Sequence, residues 1–485
     1  MVAQPFRKSP QKSGCALSPF LFAHYTLFVK RLLLSLALAA SLSLSASAQS
    51  GPTLAPTPPL GWNSWDSYGL TITEPQFKDN VAWLHQHLQP YGWQYVVVDE
   101  GWYLSRPDDS KDPGFTLSRD GLYLPAANRF PSAGETEGFK PLADYVHSLG
   151  LKFGIHIIRG IPRQAVARNL PIADSQFNAA SAADTSDTCS WNSDNYGIRN
   201  NAAGQAYYDS LLKLYASWGV DFLKVDCISS PYKAASIHMI DAAIKKAGRP
   251  IVLSLSPGPT PLPEAADVQR SAQLWRISND FWDLWSSPHP NSFPQSLNNQ
   301  FPLLAQWVSY AGIKDGSGRW PDADMLPIGY LGPHPGWGRP RHSRFTPAEA
   351  RTLITLWSIA RSPLILGANL TQMDSATESL LTNPEVLAVD QHTTGNQAIT
   401  TAGKNGNIVF WTAREGSDPI IAVFNRTDKP ARVLTPPWKK LGGQFGLDRT
   451  TYKVRDLWSR KDLGPRRSLS VTLPPHGAAL FRLSQ

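Results

Sequence analysis

The sequence predicts a (β/α)8 TIM barrel followed by a C-terminal antiparallel β-sandwich domain. Three observations carry the prediction. Short apolar runs alternate with longer amphipathic stretches over most of the chain, the pattern of βα units around a parallel sheet. Several of those runs end in ionisable residues, and a barrel of this kind places its chemistry at the C-terminal ends of its strands. Beyond about Gln391 the alternation stops, and only short strand-like runs separated by Gly-, Pro- and Asp-containing loops follow. These readings divide the chain into a leader (1–48), a barrel (49–391) and a β-sandwich domain (392–485).

The leader is basic and then apolar. Lys30-Arg31 precede a Ser-interrupted apolar stretch over 32–44, and Ala46-Ser47-Ala48 form a small-residue cleavage site before Gln49. The stretch is shorter than the roughly 20 apolar residues of a spanning helix. Joined to residues 20–29 as an anchor, it would bury the Lys-Arg pair in the membrane. Export to a secreted or periplasmic location, with no membrane attachment after cleavage, is the expectation.

Eight strand-like runs follow in order. They cover residues 60–65, 95–99, 153–158, 221–226, 251–255 and 274–278, a seventh expected just before Trp320-Pro-Asp-Ala-Asp324, and 363–367. Helical stretches lie between them. Residues 76–88 follow an acidic start, and 204–217 carry Tyr207, Leu211, Leu214 and Tyr215 at helical spacing. Residues 346–360 open with Thr-Pro-Ala-Glu, an N-cap followed by proline and an acid in the first turn. In the last domain the strands are residues 408–411, 420–424, 452–457 and 478–483, with no helical pattern between them.

Composition excludes some functions. The chain has 485 residues and a formal net charge of +8. Five of its basic residues and no acidic ones fall within 1–48, so the remainder is nearly balanced, with 41 basic and 38 acidic residues. No basic patch or helix stripe points to nucleic acid. The 17 Trp, 15 Tyr and 19 Phe fill cores or stack on sugar rings. The eleven His show no metal-ligand spacing and read as structural or solvent-facing. Cys189 and Cys227 survive leader removal; in an exported protein they form either a disulfide or two buried thiols.

The chemistry sits at strand ends. Asp99, Glu100, Lys224, Asp226, Arg276 and Asp280 all fall at or just after them. Residues two apart on a strand share a face, so Lys224 and Asp226 project together, and a nearby cation favours an ionised carboxylate. That suits a nucleophile and equally a structural ion pair. A retaining glycosidase would need a second carboxyl group about 5–5.5 Å away.

Five motifs occur in order: Leu60-Gly-Trp-Asn-Ser-Trp-Asp66, Asp99-Glu-Gly-Trp102, Trp218-Gly-Val-Asp-Phe-Leu-Lys-Val-Asp-Cys227, Trp275-Arg-Ile-Ser-Asn-Asp280 and Trp320-Pro-Asp-Ala-Asp-Met-Leu326. Together they resemble the motif series of glycoside hydrolase family 27, the α-galactosidase or melibiase family, in a divergent bacterial-type branch. The resemblance runs from about Pro56 to the C-terminus. It implies a retaining double displacement with Asp226 as nucleophile and Asp280 as acid/base. It implies that Trp65, Asp99, Lys224 and Arg276 hold the sugar, that Asp324 and Met325 form the pocket rim, and that Cys189 and Cys227 are bridged. It implies no metal and no cofactor, with an oligosaccharide or polysaccharide as the partner.

Two positions depart from the family pattern. Glu100 stands where α-galactosidases of the family usually have Asp, and its extra methylene reaches toward the place of the galactose C6 hydroxymethyl. Ser256 stands where the family usually has a Glu that bonds the sugar 2-hydroxyl, which leaves room for a 2-substituent. The resemblance therefore implies an exo-acting α-galactosidase first. β-L-Arabinopyranosidase, α-N-acetylgalactosaminidase and isomaltose-releasing glucan hydrolase are alternatives within the family. A non-catalytic sugar-binding barrel, or a metal-dependent lyase using Lys224 as base, are alternatives of other classes.

Overall fold

The computed structural model describes residues 53–134, 136–289, 293–332, 339–399 and 406–485. The leader expected over residues 1–48 lies outside them. Eight parallel strands form the barrel: β1 (Leu60–Asn63), β2 (Tyr95–Val98), β3 (Lys152–Ile158), β4 (Phe222–Asp226), β5 (Val252–Leu255), β6 (Leu274–Arg276), β7 (Ser317–Asp322) and β8 (Leu364–Leu366). They are ordered β7-β6-β5-β4-β3-β2-β1-β8, with a short antiparallel strand, Gly312–Lys314, on the outer side of β7. The ring closes just beyond β7, where Leu326 bridges Leu366 and its N–H donates to the Ile365 carbonyl at 2.7 Å.

One main helix follows each strand: α1 (Glu74–His87), α2 (Lys140–Ser148), α3 (Ala202–Trp218), α4 (Ala234–Ala247), α5 (Ala265–Ser271), α6 (Leu297–Trp307), α7 (Pro347–Ala360) and α8 (Pro384–His392). Local sequence sets their ends. Thr73 and Thr346 close capping boxes with Gln76 and Glu349, each ahead of a proline in the first turn. Asn201 accepts from the Gly204 N–H to start α3, and Gly219 ends it in the left-handed conformation.

The seventh strand departs from expectation. It does not precede Trp320-Pro-Asp322 but contains it. Its run, Ser317-Gly-Arg-Trp-Pro-Asp322, has no clear strand pattern, and proline cannot donate to a ladder. Here the Trp320 N–H and the Asp322 carbonyl both bond toward β6. Pro321 therefore turns its nitrogen toward β8, where pairing does not begin until Leu326. No ladder bond is lost.

The last domain is a six-stranded antiparallel sheet and a two-stranded one. Its strands are β9 (Thr394–Ile399), β10 (Ile408–Glu415), β11 (Asp418–Asn425), β12 (Ala431–Leu434), β13 (Tyr452–Asp456), β14 (Lys461–Arg466), β15 (Ser470–Leu473) and β16 (Ala478–Ser484). The large sheet runs β9-β10-β11-β16-β13-β14, and β12 pairs β15. Its apolar runs are continuous rather than alternating because both faces are covered. Trp411, Ala422, Phe424 and Leu480 join the barrel's core, while Phe410, Ile421, Val423 and Phe481 form a second core. A helix, α9 (Trp438–Phe445), interrupts these strands contrary to expectation. Two glycines dilute its pattern, but Trp438 and Phe445 are buried in that second core, with Leu441 packed against it.

Candidate active site

The floor of the site is built by β2, β3 and β4. Lys224 and Asp226 share a face of β4, but they are not each other's direct partners. The Lys224 ammonium donates to Asp99 Oδ2 at 2.9 Å. Asp99 also accepts from Asn63 Nδ2 at 2.6 Å and from the Glu100 N–H at 2.9 Å. The direct partner of Asp226 is His156, whose Nε2 lies 2.9 Å from Asp226 Oδ2. The other oxygen, Oδ1, has no hydrogen-bond partner among the described residues. Burial alone would raise the Asp226 carboxyl. Lys224 and His156, with a smaller contribution from Ser256, outweigh it and hold the group well below the usual carboxylate range. His156 moves the other way: burial would lower it, but Asp99 and Asp226 raise it above the usual imidazole value.

This corrects the reading of the histidines as merely structural or solvent-facing. His156 is completely buried and sits beside Lys224 in the β3–β4 register. Its partner lies 70 residues along the chain, so no local spacing could signal it.

β6 and β7 supply the opposite wall. Arg276 Nη2 bonds Asp324 Oδ2 at 2.7 Å and Asp280 Oδ1 at 3.2 Å. Asp324 also accepts from the Phe281 N–H at 2.7 Å. Burial raises its carboxyl, Arg276 opposes that, and Asp280 and Asp322 add to it. Asp280 has a side chain 44% exposed, against 11% for Asp226. The neighbouring Asp283 is committed elsewhere: it is buried and paired with Arg341 at 2.5 Å.

The third wall is a braced loop. Cys189 and Cys227 are bridged, which ties the loop after β3 to the residue that follows Asp226. Arg159 reinforces the tie, donating to the Cys227 carbonyl at 2.6 Å and to Asp187 at 2.7 and 2.9 Å. From this loop Asn192 Nδ2 donates to Glu100 Oε1 at 2.8 Å. Glu100 is buried, and burial pushes its carboxyl up to about 8, with His156 opposing and Asp226 and Asp194 adding.

These walls enclose a pocket of about 480 Å3, within the range of small-molecule sites. Trp65, Asp99, Glu100, Lys224, Asp226, Arg276, Asp280, Asp324 and Met325 all line it. Ser256 does not. It is buried beside Asp226, and Pro257 forms the wall there. Sequence reasoning missed Asp66, Trp191 and Phe281, which also line the pocket. Asp66 is a buried acid raised well above its usual value by burial and then by Asp324, with Lys224 opposing. Its place as the last residue of the first motif was the available signal.

Glu100, His156 and Asp226 bring three potential ligand atoms within 4.8 Å of one another. Within the cluster His156 Nε2 is engaged by Asp226 Oδ2 at 2.9 Å, and Glu100 Oε1 accepts from Asn192 Nδ2 at 2.8 Å.

Comparison with known proteins decides the family. The α-galactosidase A family model matches residues 190–392, and the model of the α-galactosidase C-terminal β-sandwich domain matches residues 405–483. An α-galactosidase from Cyamopsis tetragonoloba is 30% identical over 89% of this chain and 87% of its own. The chain belongs to the α-galactosidase-like family, glycoside hydrolase family 27. Within the family, α-galactosidase A from Cellvibrio japonicus is 29% identical, covering 94% of this chain and 99% of its own. A family 27 β-L-arabinopyranosidase from Geobacillus stearothermophilus, solved with arabinose, is 44% identical with a TM-score of 0.82, over 89% of this chain and 98% of that one. The family 27 glycoside hydrolase fold thus spans both the barrel and the β-sandwich.

Proposed function

We propose that the chain is an exo-acting retaining glycosidase that prefers terminal β-L-arabinopyranosyl over α-D-galactosyl residues. The observation that carries this choice is Glu100. It is buried, lines the pocket and is pinned by Asn192, so its extra methylene is not free to swing out of the sugar's way. L-Arabinopyranose presents the galactose ring without its C6 hydroxymethyl and leaves that space to the longer acid. The 44% identity to the arabinopyranosidase, against 29–30% for the α-galactosidases, supports the same choice.

In this reading Asp226 attacks the anomeric carbon while Asp280 donates a proton to the leaving oxygen. The glycosyl ester on Asp226 is then hydrolysed by water that Asp280 deprotonates. Two features support the roles. Asp226 is ionised and keeps one oxygen unbonded. Asp280 is the more exposed, which suits a group that meets the leaving group and exchanges its proton between steps. Lys224, Asp99 and Arg276 bind ring hydroxyls, with Trp65 as an apolar wall. The leader pattern and the disulfide support export, where such bridges persist. α-Galactosidase activity is the second reading, favoured by α-galactosidase relatives that cover 89–94% of this chain.

The test is the ratio of kcat/KM for p-nitrophenyl β-L-arabinopyranoside to that for p-nitrophenyl α-D-galactoside. It should exceed one in the wild type and fall roughly 10–200-fold in Glu100→Asp, the range for one methylene in a tight pocket. A ratio that Glu100→Asp leaves unchanged overturns the role of Glu100, and a wild-type ratio below one gives the α-galactosidase reading instead.

A further inference from the structure

The pocket mouth carries an aromatic side chain that the sugar-binding floor does not use. Trp191 lines the pocket yet is 49% exposed. Among the described residues its indole makes no hydrogen bond and no ring–ring contact. A solvent-facing tryptophan is unremarkable on a loose loop, but this loop is not loose. Cys189, two residues before it, is bridged to Cys227. Asn192, the next residue, bonds Glu100, and its Oδ1 accepts from the Asp194 N–H at 2.8 Å. Asp194 accepts from Tyr103 Oη at 2.6 Å, and Asn195 Nδ2 donates to the Ile158 carbonyl at the end of β3 at 2.9 Å. The chain therefore holds a large apolar ring in water with its backbone fixed on both sides. That is the arrangement of a preorganised binding surface.

Its place says what it would bind. The floor holds the glycone, so whatever leaves must extend outward past Asp280, the exposed carboxyl at the mouth. Phe293, 46% exposed, lines the same mouth.

We propose that Trp191 is the stacking platform of an aglycone subsite, taking the apolar face of a pyranose ring in the leaving group. The proposal rests on the glycosidase reading of the site. It makes the natural substrate an oligosaccharide or glycan side chain rather than a simple alkyl glycoside. It also gives the disulfide a task beyond stability, because the bridge fixes the platform relative to Asp226. Trp191 touches neither the anomeric carbon nor the transferred proton, so its contribution depends on what the leaving group is.

The experiment compares two donors that share a glycone. The first is melibiose, whose aglycone is glucose, and the second is α-D-galactosyl fluoride, whose leaving group offers nothing to stack. The β-L-arabinopyranosyl pair is measured alongside. Trp191→Ala should lower kcat/KM for the disaccharide relative to the fluoride roughly five- to ten-fold, as expected for one lost aromatic face. Trp191→Phe should restore most of that ratio, which a merely structural role would not predict. A ratio that stays within about two-fold of wild type, through equal loss on both donors or loss on neither, overturns the subsite. Wild-type protein inert toward both glycosyl fluorides overturns the glycosidase reading itself, and the subsite with it.

Discussion

Asp226 suits the proposed nucleophile role because its two oxygens are treated differently: one is bonded by His156 and the other has no hydrogen-bond partner among the described residues. Its low pKa depends on burial being outweighed by Lys224 and His156. Removing the His156 cation and donor should therefore raise the Asp226 pKa, and the acid limb of kcat/KM should move to higher pH. His156→Phe should shift it by about one pH unit, equivalent to ~1.4 kcal/mol of a charge-assisted hydrogen bond. His156→Gln, which keeps a donor without the charge, should shift it less. An unmoved acid limb in both variants would show that His156 does not tune Asp226. At this scale the sequence was legible where motifs sit at strand ends, as for Asp99, Lys224 and Arg276. It was not legible for His156 and Trp191. The first owes its role to a partner on another strand, and the second to exposure that only the folded loop creates.

Both proposals, the sugar choice through Glu100 and the aglycone contact through Trp191, depend on the braced loop. The Cys189–Cys227 bridge closes a loop with a sequence separation of 38. In the chain-entropy picture such a bridge stabilises by about 4 kcal/mol. Cys189→Ala should lower the unfolding free energy by about that much in denaturant titration, and should raise KM more than it lowers kcat, because Asn192 and Trp191 lose their anchor. An unchanged KM would mean that Arg159 alone holds the loop in place. Two residues at the site carry positive φ without being glycine, Cys227 at 61° and Asp324 at 89°. Both lie next to groups that line the pocket, where local backbone strain is characteristically tolerated. Elements with strong periodicity or caps, such as α3 and α7, were readable to within a residue or two. β7 was not, since Ser317-Gly-Arg-Trp-Pro-Asp322 has no clear strand pattern and its proline is accommodated only because the neighbouring residues bond toward β6. α9 was not, since its glycines mask a helix that tertiary burial of Trp438 and Phe445 stabilises.

Across the whole molecule one core runs from the barrel into the β-sandwich. Trp411, Ala422, Phe424 and Leu480 pack with Leu353, Leu356 and Trp357 of α7 in a single cluster. Polar ties cross the same boundary: Thr352 donates to the His476 carbonyl at 2.6 Å, Trp458 to Thr355 at 3.0 Å, and Arg455 pairs with Glu385 at 2.7 Å. A shared apolar core couples the unfolding of its parts more tightly than a polar interdomain contact does. Calorimetry of the full chain should therefore give one transition, and two resolved transitions would show that the β-sandwich unfolds independently. The same packing places α7, and the Trp357 indole that donates to the Asp324 carbonyl at 3.0 Å, between the β-sandwich and the pocket wall. Among the described residues, the β-sandwich thus backs the site without contributing a residue to the pocket lining. The proposed mechanism requires a covalent intermediate on Asp226, and that can be sought directly. The protein is incubated with a 2-deoxy-2-fluoro glycoside of the preferred sugar bearing a good leaving group, digested, and sequenced by mass spectrometry. The account predicts a glycosyl ester on the peptide containing Asp226, with activity lost in step with labelling. Labelling of a different carboxylate, or turnover that yields product of inverted anomeric configuration, would contradict it.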